Sequence, residues 1–193
     1  GRRRPWDRLF AVPRMSTLQE EIHAIGARAR SASRKLACLT GPQKASILLA
    51  MADELVARTP ALVEANAADL TRAEANGLSK AAIDRLRLTP QRVAEMADGI
   101  RQVAGLADPV GEVLRDWTRP NGIRITKIRT PIGVIGIIYE SRPNVTSDAA
   151  VLCLKTGNAV ILRGGSEAIS SNLAIAEALQ AGGGPAGLPD PAV

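Results

Sequence analysis

The sequence predicts an α/β fold, a helical layer followed by the first βαβ units of a doubly wound parallel sheet. Three observations carry this. From about Ser16 to Gly105 apolar residues recur at helical spacing. At Gly122–Thr130 the period changes to strand alternation. Pro131–Glu167 then reads as strand, polar loop, helix, strand, polar loop and the start of another helix. Strand, helix, strand implies a right-handed parallel crossover. Open sheets of this kind bind ligands in the crevice at the carboxyl ends of their strands.

In the helical half, residues 15–108, two starts are well signed. Thr59-Pro60 and Thr89-Pro90 each place a capping hydroxyl before a proline suited to the first helical position. After Thr89, Val93, Met96, Ile100 and Val103 step by three and four and form one buried stripe. Ile47, Leu48, Met51 and Leu55 do the same after Gly41-Pro42. Asn76-Gly77 and Asp108-Pro109 mark turns. This half holds no chemical cluster and is expected to be a packing layer.

In the second half, Gly122–Thr130 alternates Ile123, Ile125 and Ile128 with charged and polar residues, as a half-exposed strand would. Gly133–Ile138 has no polar residue at any phase, which predicts a strand covered on both faces. Asn158–Leu162 is a second such strand. Between them Val145–Thr156 has helical length, with Gly157 suited to its C-terminus. Ser166–Gln180 is the next helix, and the Gly/Pro-rich residues 182–193 read as flexible, with Gly182–Pro185 looking inserted. Two strands are too few for a stable doubly wound sheet. Residues 15–193 are therefore expected to be a partial domain with its βαβ part at 122–181, the front of a longer protein.

Composition narrows the function classes. The chain has 193 residues, of which 46% are hydrophobic and 23% charged, a normal globular balance. Aromatics are 2%, so the core must come from Ala, Leu, Ile and Val. No apolar run reaches membrane-spanning length. Cys38 and Cys153 form no CxxC pair and His23 is the one histidine, so no metal site is expected and the default compartment is the cytoplasm. Of the net charge of +6, four charges sit in residues 1–14, which hold five Arg and one Asp. A basic tail on a near-neutral body argues against a nucleic-acid face. The tail is expected to be disordered, and Met15 is read as the natural start.

Two loops carry the chemistry. Tyr139–Asn144, YESRPN, gathers an acid, a hydroxyl, a guanidinium and an amide at a strand end. Pro143 biases Arg142 to an extended conformation. Asn144 either caps the following helix or aims its amide into the crevice as an oxyanion donor, an effect worth roughly 3 kcal/mol. The second loop is Arg163-Gly164-Gly165-Ser166-Glu167. Its glycines let backbone approach a ligand, and Arg163 has bidentate geometry for phosphate. An Arg at the end of the second strand favours a 2′-phosphate, hence NADP. The alternative is a glycine turn with Ser166 as N-cap and Glu167 in the first helical turn. No GxGxxG follows a strand. Cys153, on an apolar helix without a nearby base, reads as a buried structural thiol. Cys38 falls near the end of the first helix, and His23 reads as solvated.

The runs PIGVIGIIYESRPNVTSDAAVLCLKTGNAVILRGGSEA and RLRLTPQRVAEMADGIRQVAGLADPVG closely resemble the gamma-glutamyl phosphate reductases of the aldehyde dehydrogenase superfamily. The likeness runs from about Met15 to Ala181. It implies an aldehyde dehydrogenase-like, Rossmann-like sheet and the N-terminal, NADP-binding portion of the enzyme. It implies NADPH-dependent reduction of L-glutamate 5-phosphate to L-glutamate 5-semialdehyde in proline biosynthesis. It gives Asn144 the oxyanion role, and Arg163, Gly164, Gly165, Ser166 and Glu167 the cofactor loop. Arg142 is the expected contact to the substrate carboxylate or phosphate. The family's cysteine nucleophile lies in a catalytic domain downstream of residue 193 and matches neither Cys38 nor Cys153. The isolated chain is thus expected to be inert, and the full-length protein a homo-oligomer; the alternatives are a non-enzymatic nucleotide-binding fragment or another member of the aldehyde dehydrogenase superfamily.

Overall fold

The structure is a computed structural model and describes residues 17–193, so the basic tail and Met15 lie outside the described residues. Five helices come first: α1 Leu18–Leu36, α2 Gly41–Ala57, α3 Thr59–Ala75, α4 Lys80–Leu86 and α5 Pro90–Gly105. An antiparallel hairpin follows, β1 Val113–Thr118 and β2 Arg124–Ile128. The parallel pair β3 Val134–Ile138 and β4 Ala159–Arg163 is connected by α6 Pro143–Lys155, and α7 Ile169–Gly183 comes last.

Side-chain caps start most of the helices. Thr17 with Glu20 and Thr40 with Gln43 form reciprocal capping boxes, and Thr89 accepts from the Arg92 N–H at 3.2 Å. Thr59 departs from expectation. α2 ends only at Ala57, so the Thr59 hydroxyl turns back and donates to the Val56 carbonyl at 2.7 Å, satisfying an orphan group of the preceding helix. At the end of α6, Gly157 adopts φ +76°, its N–H reaching Leu154 O and the next N–H reaching Cys153 O. Only glycine takes that conformation without strain.

The core lies where α2 packs against α5 and α7, with α6 and α1 both against β4. Ile47, Leu48, Met51 and Leu55 are buried, as are Val93, Met96 and Ile100, so the two expected stripes face inward. Each fully buried Leu or Met contributes about 2 kcal/mol by leaving water.

Two expectations fail. β3 is not covered on both faces: Gly136 is exposed, and Ile138 is 81% exposed. β4 is better covered, because α1 and α6 pack chiefly on it. The segment after residue 181 is also not a loose tail. Gly182 and Gly183 continue α7 and lie so close to α2 that a Cβ on Gly182 would stand 2.6 Å from the Ala50 carbonyl oxygen. Leu188 and Ala192 are buried, and the Ala192 carbonyl accepts from the Val160 N–H at 2.9 Å. Gly182 and Gly183 here serve close packing, not flexibility.

Candidate functional site

β3 and β4 pair in parallel from Val134↔Ala159 to Ile138↔Arg163, so both chemistry-bearing loops leave the same sheet edge side by side. The pairing extends one step, Tyr139 N–H donating to Arg163 O at 3.1 Å. Beyond it the loops are tied by side chains. Ser141 Oγ donates to Glu167 Oε2 at 2.5 Å. That bond comes first among the causes holding the Glu167 carboxyl below its usual range, its own backbone N–H and the Arg163 charge adding to it. The Tyr139 hydroxyl meets Thr146 at 2.8 Å, and Thr146 donates to Asn172 at 3.0 Å, joining loop, α6 and α7. Burial pushes the Tyr139 phenol above its ordinary range.

Arg142 is the residue before α6, extended at φ −125° as a residue before proline should be, and makes no side-chain cap. Its Nε lies 3.6 Å from Glu140 Oε2. Asn144 is not the N-cap. α6 starts at Pro143, so Asn144 falls within its first turn and donates its amide to Asp148 Oδ2 at 3.1 Å. Burial pushes the Asp148 carboxyl up, opposed by that hydrogen bond.

Arg142, Pro143, Asn144 and Asp148 form one wall of a cleft of about 400 Å³; the other comes from the end of α4, the turn after it and α5, with Asp84, Arg85, Arg87, Arg92 and Glu95. A smaller adjoining cleft of about 250 Å³ shares Arg85 and Arg142 and adds Glu140, Ser141 and Glu167. The structure thus brings Asn144, Arg142 and Glu167 to one region. Arg85 and Arg87 were missed from the sequence, because nothing local marks RLRL as facing a loop over 50 residues later.

Arg163 ends β4, exposed, and lines neither cleft. Gly164 and Gly165 are tight for a different reason from the one expected. A Cβ on Gly164 would fall 2.2 Å from Asn172 Nδ2, and one on Gly165 would fall 2.0 Å from Ser141 Oγ. Their missing side chains make room for the protein's own loop. Ser166 is not an N-cap either: it opens a short 3₁₀ turn, Ser166–Ala168, without a side-chain cap. The N-terminus of α7 is capped from a distance, Asp69 of α3 accepting from the Ser170 and Ser171 N–H groups at 3.1 and 2.7 Å.

Neither thiol lines these clefts. Cys153 is buried, and burial pushes its pKa up, away from the reactive thiolate. Cys38 is exposed and donates to Arg34 O at 3.4 Å; His23 is exposed. Among the described residues no group of three or more His, Cys, Asp or Glu could hold a metal ion, and no helix is long and apolar enough to cross a membrane.

The model of the aldehyde dehydrogenase family matches residues 7–190. The chain is similar to gamma-glutamyl phosphate reductase of Mesorhizobium japonicum, 56% identical over 169 residues, covering 88% of this chain and 40% of that protein. It is 58% identical over 163 residues to that of Geobacter metallireducens, covering 84% and 39%. The crystal structure of gamma-glutamyl phosphate reductase from Thermotoga maritima superposes with a TM-score of 0.87 at 40% identity, covering 90% of this chain and 42% of that one. The chain spans about 40% of the length of the curated relatives it matches.

Proposed function

The chain belongs to the aldehyde dehydrogenase family, and from that premise we propose that it supplies the cofactor-facing part of a gamma-glutamyl phosphate reductase. The reaction is NADPH-dependent reduction of L-glutamate 5-phosphate to L-glutamate 5-semialdehyde and phosphate, a cytoplasmic step of proline biosynthesis. The supporting observation is the pair of loops leaving β3 and β4 at one edge and bridged by Ser141–Glu167.

The residues present fit a phosphorylated nicotinamide cofactor in their donor chemistry. The exposed Arg163 guanidinium has no hydrogen-bond partner among the described residues and stands at the carboxyl end of a parallel strand. Gly164 and Gly165, with Ser166 and Glu167 beside them, form the backbone of that loop. When bound, the cofactor supplies the hydride. Asn144 is the candidate oxyanion donor. Its amide is engaged by Asp148, so it must leave that carboxylate, or share it, to face a reacting carbonyl. Arg142 opposes negative charge on the substrate. Neither cysteine serves as nucleophile here, Cys153 being buried and its thiol pKa raised.

Titration of NADPH fluorescence against the chain tests this reading. Saturable binding is expected; no binding at millimolar protein contradicts it.

A further inference from the structure

Resting on that reading, we propose that Arg85 in the last turn of α4 and Arg87 just after it hold the carboxylate of the substrate's amino-acid end and so set specificity for an acidic amino-acid acyl group. They face Arg142 and Asn144 across the cleft of about 400 Å³.

The turn presents both arginines outward by alternation. In Arg85-Leu86-Arg87-Leu88 the leucines are buried and the arginines exposed. The turn is also held from below. Asn66 of α3, 1% exposed, donates to Leu86 O at 2.8 Å and accepts from the Leu88 N–H at 2.7 Å. Arg92 clamps it from the side, donating to the carbonyls of Asp84 and Arg87 and pairing with the Asp84 carboxylate. A turn fixed at both flanking leucines is pre-organised, so little ordering accompanies binding.

Charge in the cleft is unevenly committed. The carboxylates are already engaged: Asp84 by Arg92, Asp148 by Asn144, Glu95 by Gln91 at 3.0 Å. Of the arginines, Arg92 is committed to Asp84 and Arg142 pairs with Glu140 at 3.6 Å, whereas Arg85 and Arg87 pair with no carboxylate. Arg85 uses only Nε, on the Ala81 carbonyl at 3.2 Å, and Arg87 makes no side-chain hydrogen bond among the described residues. Both residues line the polar cleft, and their terminal nitrogens have no hydrogen-bond partner among the described residues. A carboxylate accepting two parallel N–H bonds is the ligand such forks fit best. Arg142 opposite is left for the acyl-phosphate end, beside Asn144.

Binding of L-glutamate, L-isoglutamine and L-glutamine to the full 193-residue chain, followed by NMR chemical shifts, tests the assignment. L-Isoglutamine lacks only the α-carboxylate and L-glutamine only the distal one. Wild type should bind L-isoglutamine about ten-fold or more weakly than L-glutamine. R85A/R87A should lose that discrimination, R85K/R87K should keep part of it, and NADPH affinity should not change in either. The proposal is overturned if wild type does not discriminate the two amides, or if R85A/R87A discriminates as wild type does. Absent NADPH binding with discrimination intact would defeat the cofactor reading and leave this one standing.

Discussion

Asp69 and Ser171 are 102 residues apart, yet the Asp69 carboxylate caps α7 through Ser171 in its first turn, accepting from the Ser171 N–H at 2.7 Å and its hydroxyl at 2.6 Å. Asp69 is fully buried and also pairs with Arg72. Ser171 in turn accepts from Asn66, which holds the α4–α5 turn. One buried network therefore fixes both the helix after the Arg163–Glu167 loop and the turn across the cleft.

Removing that carboxylate should be costly. Asp69→Ala leaves the buried Ser171 N–H and the half-buried Ser170 N–H unpaired, and unfolding in urea should show a loss of about 3 kcal/mol. Asp69→Asn keeps one acceptor and should lose less. An Ala variant as stable as wild type would show that α7 needs no remote cap.

The glycines make opposed predictions. Gly182→Ala should destabilise by about 2 kcal/mol, because the new methyl meets backbone of α2, which cannot step aside. Gly26→Ala, in α1 with nothing within 4 Å of the new methyl, should stabilise by about 1 kcal/mol. Thermal denaturation of the two variants reads both, and shifts of the same sign would contradict the packing argument.

Acid stability should depend on Lys44 and Asp108. Burial alone would raise the Asp108 carboxyl; the hydrogen bonds from Lys44 and from the Val110 N–H, with the charges of Lys44 and Lys155, outweigh it and hold the group below its ordinary 3.8. A depressed folded value means the contribution is complete above 3.8 and is lost as pH falls through the lower folded value. Lys44→Met should flatten the acid limb of a stability–pH curve. An unchanged limb would remove this pair from the account.

Catalysis should be absent. With glutamate 5-semialdehyde, phosphate and NADP, the 193-residue chain should show no turnover, since neither thiol reaches the cleft. Turnover abolished by Cys38→Ser or Cys153→Ser would assign that thiol a catalytic role and contradict this.

Local signals made much of this molecule legible. The strand–helix–strand path through Ile138, Gly157 and Arg163, the cap at Thr89 and the stripes on α2 and α5 follow from spacing and turn chemistry within a few residues. What stayed hidden depends on distant partners. Thr59 looks like a cap until α2 is seen to end two residues before it. Gly182 looks like a loop glycine until Ala50 is placed against it. The first strand of the hairpin, Val113–Thr118, was not foreseen, being short and charged. Asn144 stands two residues past the N-cap of α6 and Ser166 one past the cap of its 3₁₀ turn, because helix starts shift by a residue or two. Arg85 and Arg87 join the site only through the fold.

We propose that the Arg163 loop receives a phosphorylated nicotinamide cofactor. Competitive titration of NADP and NAD against wild type and Arg163→Ala tests it most directly. Wild type should prefer NADP, and the variant should lose this preference, by about ten-fold or more, while still binding NAD. A variant that keeps the preference, or a wild type that binds neither dinucleotide, would contradict it.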